Sequence, residues 1–144
     1  MYNGIKESGL LSLDPTSGKV GTKSFSNCLM QLRKICNHPY LFIQDLPEEN
    51  LDWIYTSSGK FELLDRILPK LIKSGHKVLI FSQFVQLLEL LSMSLHHRGI
   101  ESLCLDGSMK QEDRNANVQT FSNPNSKQKV FLLSTRAGGH GLNL

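Results

Sequence analysis

Three short strand-like runs shape the second half of this chain: Val78-Leu79-Ile80-Phe81, Ile100 to Leu105, and Val130 to Leu133. Short apolar runs without strict alternation suit strands buried on both sides. The stretches between them have helical spacing, giving the order strand, helix, strand, helix, strand. That alternation implies parallel strands joined by right-handed crossovers, with helices covering both faces of the sheet. The predicted class is α/β. In such sheets ligands gather outside the carboxyl ends of the strands. Function is therefore to be sought in Ser82-Gln83-Phe84, Asp106-Gly107-Ser108 and Ser134 to Gly141.

The intervening helices can be read in more detail. One starts near Ser58 and carries Phe61, Leu64, Ile67, Leu68, Leu71 and Ile72 on one face, with a kink expected near Pro69. A second runs through Leu87, Leu88, Leu91 and Leu95 and ends at Gly99. For the third, Ser108 is expected to cap the helix, with Gln111 completing a capping box. In the first half, residues 1 to 23 are rich in Gly, Ser and Thr and read as loop or linker. From Ser24, Phe25, Cys28, Leu29, Leu32, Ile35 and Cys36 recur at helical spacing until Asn37-His38-Pro39 ends the run. Residues 43 to 57 read as an exposed acidic loop.

At 144 residues the chain has room for one core but not for two ordinary domains. Its 40% hydrophobic and 20% charged residues fit a globular protein and exclude wholesale disorder. A net charge of +3 permits an acidic partner without the excess of a dedicated nucleic-acid tail. The three cysteines, Cys28, Cys36 and Cys104, form no CxxC pair and favour a reducing setting. Cys36 and His38 could share a metal, but no second pair accompanies them, so a structural role is expected and no metal is predicted. No apolar run approaches the roughly 20 residues that span a bilayer, and no signal-peptide pattern follows Met1, so no membrane partner is expected.

The richest chemistry lies in Ser134-Thr135-Arg136-Ala137-Gly138-Gly139-His140-Gly141, directly after a strand. Glycines let backbone N–H groups approach an anion, hydroxyls donate, and a guanidinium grips phosphate. Close packing alone is the competing explanation for the glycines. No Gly-Lys-Ser/Thr ends this segment or any other, so a primary nucleotide cradle is missing. Ser82 and Gln83 could donate to phosphate or simply cap the next helix. Asp106-Gly107-Ser108 suits a turn and helix cap first and a nucleic-acid contact second. Arg114 could face solvent or a phosphate. Ser58-Gly59-Lys60 and His96-His97 fit ordinary helix ends.

Four blocks together resemble the Swi/Snf family of helicase-like ATPases in superfamily two: LRKICNHPYLF (Leu32 to Phe42), SGKFELLDRILPKL (Ser58 to Leu71), KVLIFSQF (Lys77 to Phe84) and FLLSTRAGGHGLNL (Phe131 to Leu144). The resemblance covers residues 24 to 144. It implies a partial RecA-like domain, a parallel sheet flanked by helices, over residues 58–144, preceded by a loop-rich segment and protrusion-type helix over residues 1–57. In that family two such lobes clasp DNA in a groove and ATP in the cleft between them. KVLIFSQF resembles motif IV, implying DNA-backbone contacts from Ser82 and Gln83. LDGS resembles the next block and places Gly107 and Ser108 beside the tracked strand, with Arg114 a further candidate. The last block resembles motif V. It implies that Ser134, Thr135 and Arg136 face DNA phosphates, while Gly139 and Gly141 border the nucleotide. Lys34 and His38 are expected to pack.

His140 replaces an aliphatic residue usual in the family, and motif VI with its arginine fingers is not in the sequence. The resemblance thus implies a DNA-gripping part of a motor that translocates on duplex DNA and remodels nucleosomes, with no catalytic residue in this piece. ATP and magnesium would be bound mainly by the first RecA-like lobe. Partners would be duplex DNA, nucleosomes, that first lobe and other remodeller subunits, in the nucleus. The alternatives are an RNA helicase second domain, against which ICNHP and STRAGG speak, and a non-enzymatic DNA- or protein-interaction scaffold.

Overall fold

The computed structural model describes residues 22–43 and 51–138; Gly139, His140 and Gly141 and most of the expected N-terminal linker lie outside them. The chain divides into two compact units between residues 46 and 47. In the first, α1 (Thr22–Asn37) leads into a 3-10 turn, Pro39–Phe42. Pro39 forces the preceding residue out of the helical region, and His38 is extended, with ψ 133°. His38 is fully buried, its Nδ1 accepts the Tyr40 N–H at 3.1 Å, and the two rings meet edge to face at 5.0 Å. Lys34 lies 5.8 Å from the Phe42 ring centre. The ICNHP block is a locally tied helix terminus, and His38 packs as expected.

The second unit contains α2 (Asp52–Thr56), α3 (Gly59–Lys73), β1 (Val78–Ser82), α4 (Val85–His97), β2 (Ser102–Leu105), α5 (Gln111–Ser122), β3 (Val130–Ser134) and α6 (Thr135–Gly138). The sheet is parallel throughout with order β1-β3-β2, so the last strand inserts between the first two. Every residue of β3 is buried. α4 packs against all three strands and buries Leu87, Leu88, Leu90, Leu91 and Leu95. On the opposite face Leu105, Phe121, Phe131, Leu133 and Ala137 form one cluster, edged by Leu103 and Val118.

The helix ends follow the glycines. Gly75 (φ 80°) and Gly99 (φ 69°) adopt left-handed backbone, and the N–H groups of His76 and Ile100 reach back to the carbonyls of Leu71 and Leu95. Both are Schellman-type ends, in which glycine avoids the Cβ clash. α3 continues past Pro69 without interruption.

Three expectations need correction. Residues 52–56 are a helix, not acidic loop, because Ile54 and Tyr55 are buried and the Tyr55 hydroxyl donates to the Ser94 carbonyl at 2.6 Å. This short helix lies in the second compact unit. Arg98 closes over it: its guanidinium lies 4.5 Å from the Tyr55 ring centre and pairs with Asp52 and Asp65, each at 3.1 Å. Second, β2 begins at Ser102 rather than Ile100. Third, helices do not cover both faces everywhere. Leu79 and Phe81 pair in register with Phe131 and Leu133, on the face that α5 and α6 cover over the other strands, yet they are 40% and 52% exposed. Among the described residues β1 is a sheet edge, where α6 brings Gly138 against the Phe81 ring and leaves both side chains partly open to solvent.

Candidate nucleic-acid interface

Strand register gathers the post-strand turns. Ser82 on β1 pairs with Ser134 on β3, and Leu105 on β2 pairs with Leu133. Neighbouring strands lie about 4.8 Å apart, so the turns at residues 82–84, 106–108 and 134–138 leave the same sheet edge side by side. Residues far apart in the chain thus form one polar rim.

Within each turn some side chains are structural and others point outward. Ser82 is buried and its Oγ accepts the Phe84 N–H at 3.0 Å; Gln83 is exposed. Ser134 is buried and its Oγ accepts the Ala137 N–H at 3.3 Å, whereas Thr135 and Arg136 are exposed. The two buried serines shape the turns, and Gln83, Thr135 and Arg136 are the side chains that face outward.

The middle turn differs from the expected capping box. Ser108 donates both its N–H (2.8 Å) and its hydroxyl (2.6 Å) to Asp106 Oδ1, and α5 begins later, after an extended Lys110. The charged acceptor two residues upstream outcompetes the helix terminus for the Ser108 hydroxyl. The Ser108 hydroxyl and N–H hold the Asp106 carboxyl below the usual carboxylate range. A depressed carboxylate supports the turn above its unfolded pKa, and that support fades as pH falls through the lower folded value. The turn is therefore held at neutral pH. Gly107 is exposed, and a Cβ there would meet nothing within 4 Å, so this glycine leaves space open to a ligand.

Gly138 has the opposite role. A Cβ there would stand 2.9 Å from Phe81 Cε1 and 3.5 Å from Leu133 Cβ, so the backbone lies directly against the β1 ring. Arg114 is half-buried on α5 and donates from Nη2 to the Ala137 carbonyl. Asn117, one turn further on, donates to the Cys104 carbonyl at 3.1 Å and ties α5 to β2. Neither contact had a signature in the sequence, because each joins a polar helix residue to a backbone oxygen on another element.

Cys104 lies on β2 immediately before this rim. Burial, with Asp106 nearby, pushes its thiol up, whereas Cys36 in the first unit is exposed. Since the thiolate is the reactive form, iodoacetamide at pH 7 is expected to label Cys36 before Cys104. The Cys104 rate should rise as pH climbs past the ordinary thiol range. Mass spectrometry of timed digests checks this, and equal rates at pH 7 would contradict the burial of Cys104.

Among the described residues no group of three His, Cys, Asp or Glu side chains converges as a metal-binding set would. None of their helices is long and apolar enough to cross a membrane.

The fold and the rim can be set beside known proteins. The helicase conserved C-terminal domain family matches residues 59–144. The chain belongs to that family. Its relatives include subunits of Swi/Snf-type chromatin-remodelling complexes. It is 46% identical, over its whole length, to chromatin structure-remodeling complex subunit snf21 of Schizosaccharomyces pombe, of which it spans 12%. It is 47% identical over 99% of its length to the probable ATP-dependent DNA helicase CHR12 of Arabidopsis thaliana, of which it spans 13%. The chain thus corresponds to about an eighth of these relatives. Among solved structures, the SWI2/SNF2 ATPase C-terminal domain of Sulfolobus solfataricus superposes with TM-score 0.82 at 26% identity, covering all of this chain and 60% of that one. The helicase C-terminal domain is thus the RecA-like α/β unit expected from the alternation of strands and helices.

Proposed function

We propose that this chain supplies a DNA-gripping part of an ATP-driven motor that moves along duplex DNA and remodels nucleosomes. The observation that carries the reading is the rim itself: Gln83, Gly107, Ser108, Thr135 and Arg136 lie exposed on three adjacent turns at the carboxyl edge of a parallel sheet. Two relatives support it by their names, one a chromatin-remodelling subunit and one an ATP-dependent DNA helicase. A row of amide, hydroxyl, backbone and guanidinium donors addresses phosphate and sugar, which position a protein on DNA without reading its bases. Such a grip suits a motor that must step over any sequence.

In this reading Arg136 is the one cation of the rim set and anchors a phosphate. Gly139 and Gly141, just beyond, border the nucleotide. ATP and magnesium are held mainly by a first RecA-like lobe of the same protein, and the setting is nuclear, among other remodeller subunits. Residues 58–144 form the lobe proper.

In the full protein Arg136→Ala is expected to weaken duplex binding about ten- to a hundredfold, the range for losing a hydrogen bond to a charged group. The slope of log affinity against log salt should shrink by about one. The fold should be unaffected, because Arg136 is exposed. Duplex titrations at several salt concentrations, with DNA-stimulated phosphate release, test this. Unchanged affinity and stimulation would take Arg136 out of the interface.

A further inference from the structure

The turn that carries Thr135 and Arg136 is held from below at several points. The Ala137 methyl sits in the cluster with Leu105, Phe121, Phe131 and Leu133. The Ser134 hydroxyl accepts the Ala137 N–H, and Gly138 rests against Phe81. The remaining tie comes from another helix: Arg114 Nη2 donates to the Ala137 carbonyl across 23 residues of chain. Arg114 sits near the start of α5, the helix that follows the Asp106–Ser108 turn. A charged donor on a carbonyl is among the stronger hydrogen bonds available to a protein.

We infer that Arg114 is a positioning residue for the proposed DNA grip, bracing the Ser134–Gly138 turn against α5 so that Arg136 is presented at a fixed place, and that it is not itself a phosphate ligand. The brace couples two of the three rim turns: a shift of α5 moves the Ala137 carbonyl and with it the neighbouring Arg136. This assignment rests on the DNA reading for its consequence, but the brace can be tested without DNA.

The variant of choice is Arg114→Met in the full protein, which keeps a long apolar stem and removes the donor. Hydrogen exchange followed by mass spectrometry should show the peptide spanning residues 134–138 exchanging about 10- to 100-fold faster, as expected for one lost charge-assisted bond. Peptides from β1 should not change. Arg114→Lys, which restores a cationic donor, should bring protection back toward wild type.

With duplex DNA, Arg114→Met should lower stimulated kcat while leaving the salt slope of binding as in wild type; Arg136→Ala should reduce that slope by about one. A slope reduced equally in both variants would make Arg114 a phosphate ligand and overturn the assignment, as would unchanged exchange at residues 134–138. Should Arg136→Ala leave DNA binding untouched, the DNA reading fails while the exchange data still decide the brace. Should Arg114→Met unfold, Arg114→Lys must fold and protect the turn; loss of protection there also overturns the brace.

Discussion

Phe131→Ala is expected to cost the second unit about 3–5 kcal/mol, the range for removing a fully buried aromatic ring from a packed core. Phe131 has no exposed surface, lies on the central strand, and packs its ring 5.1 Å from that of Phe121 in the cluster that also holds Leu133 and Ala137. Domains of this size have only about 5–15 kcal/mol in total, so this loss takes a large share of the folding free energy. The rim depends on the same strand, since Ser134 ends β3 and Ala137 shares the cluster. Phe81→Ala removes the same side chain from β1, where it is 52% exposed. Having less burial to lose, it should cost about 1 kcal/mol. Urea unfolding followed by far-ultraviolet circular dichroism measures both, with an unchanged m-value identifying a stability effect. Equal losses for the two variants would mean that the core does not lie between β3 and α5.

The order of strands and helices was legible because several boundaries carry a local mark. Gly75 and Gly99 end their helices with left-handed backbone, and Pro39 ends α1 by constraining His38. Strand order was not legible. Val78–Phe81 and Val130–Leu133 are alike in composition, and only tertiary pairing makes β3 the fully buried centre and β1 an edge. α2 was missed for a related reason: five residues are too few to show periodicity, and its Tyr55 is fixed by the Ser94 carbonyl, 39 positions away. At the site, sequence marked the turns that follow the strands but not which side chains face out. Hydroxyls at Ser82 and Ser134 match a phosphate-binding pattern as well as Thr135 does, yet the register turns them inward. The S-x-x-Q spacing at Ser108 and Gln111 matched a capping box, but the Asp106 carboxylate is the nearer and stronger acceptor.

The 144-residue polypeptide on its own is expected to release no phosphate from ATP above background, with or without duplex DNA. Phosphoryl transfer asks little covalent chemistry of a protein and depends on positioning and on neutralising charge over the transferred group. Those parts are a glycine loop with its lysine, an acidic residue holding magnesium, and an arginine aimed at the phosphoryl oxygens. The nearest match to the loop is Ser58-Gly59-Lys60-Phe61, where phenylalanine takes the hydroxyl position and Ile54 occupies the place of the first glycine. Phe61 is buried in the fold, so the segment serves as the start of α3 instead. Nor do the described residues provide a convergent carboxylate set for the metal. Arg136 is exposed on the DNA-facing rim proposed above and cannot make up for these losses, since a transition-state arginine alone contributes on the order of 10³–10⁵ in rate. Supplying both the first lobe and motif VI as part of one continuous protein should restore turnover and make it depend on DNA. A phosphate-release assay on the purified chain, with Arg136→Ala as control, decides the matter: DNA-stimulated turnover that the substitution abolishes would show a complete catalytic centre within these residues.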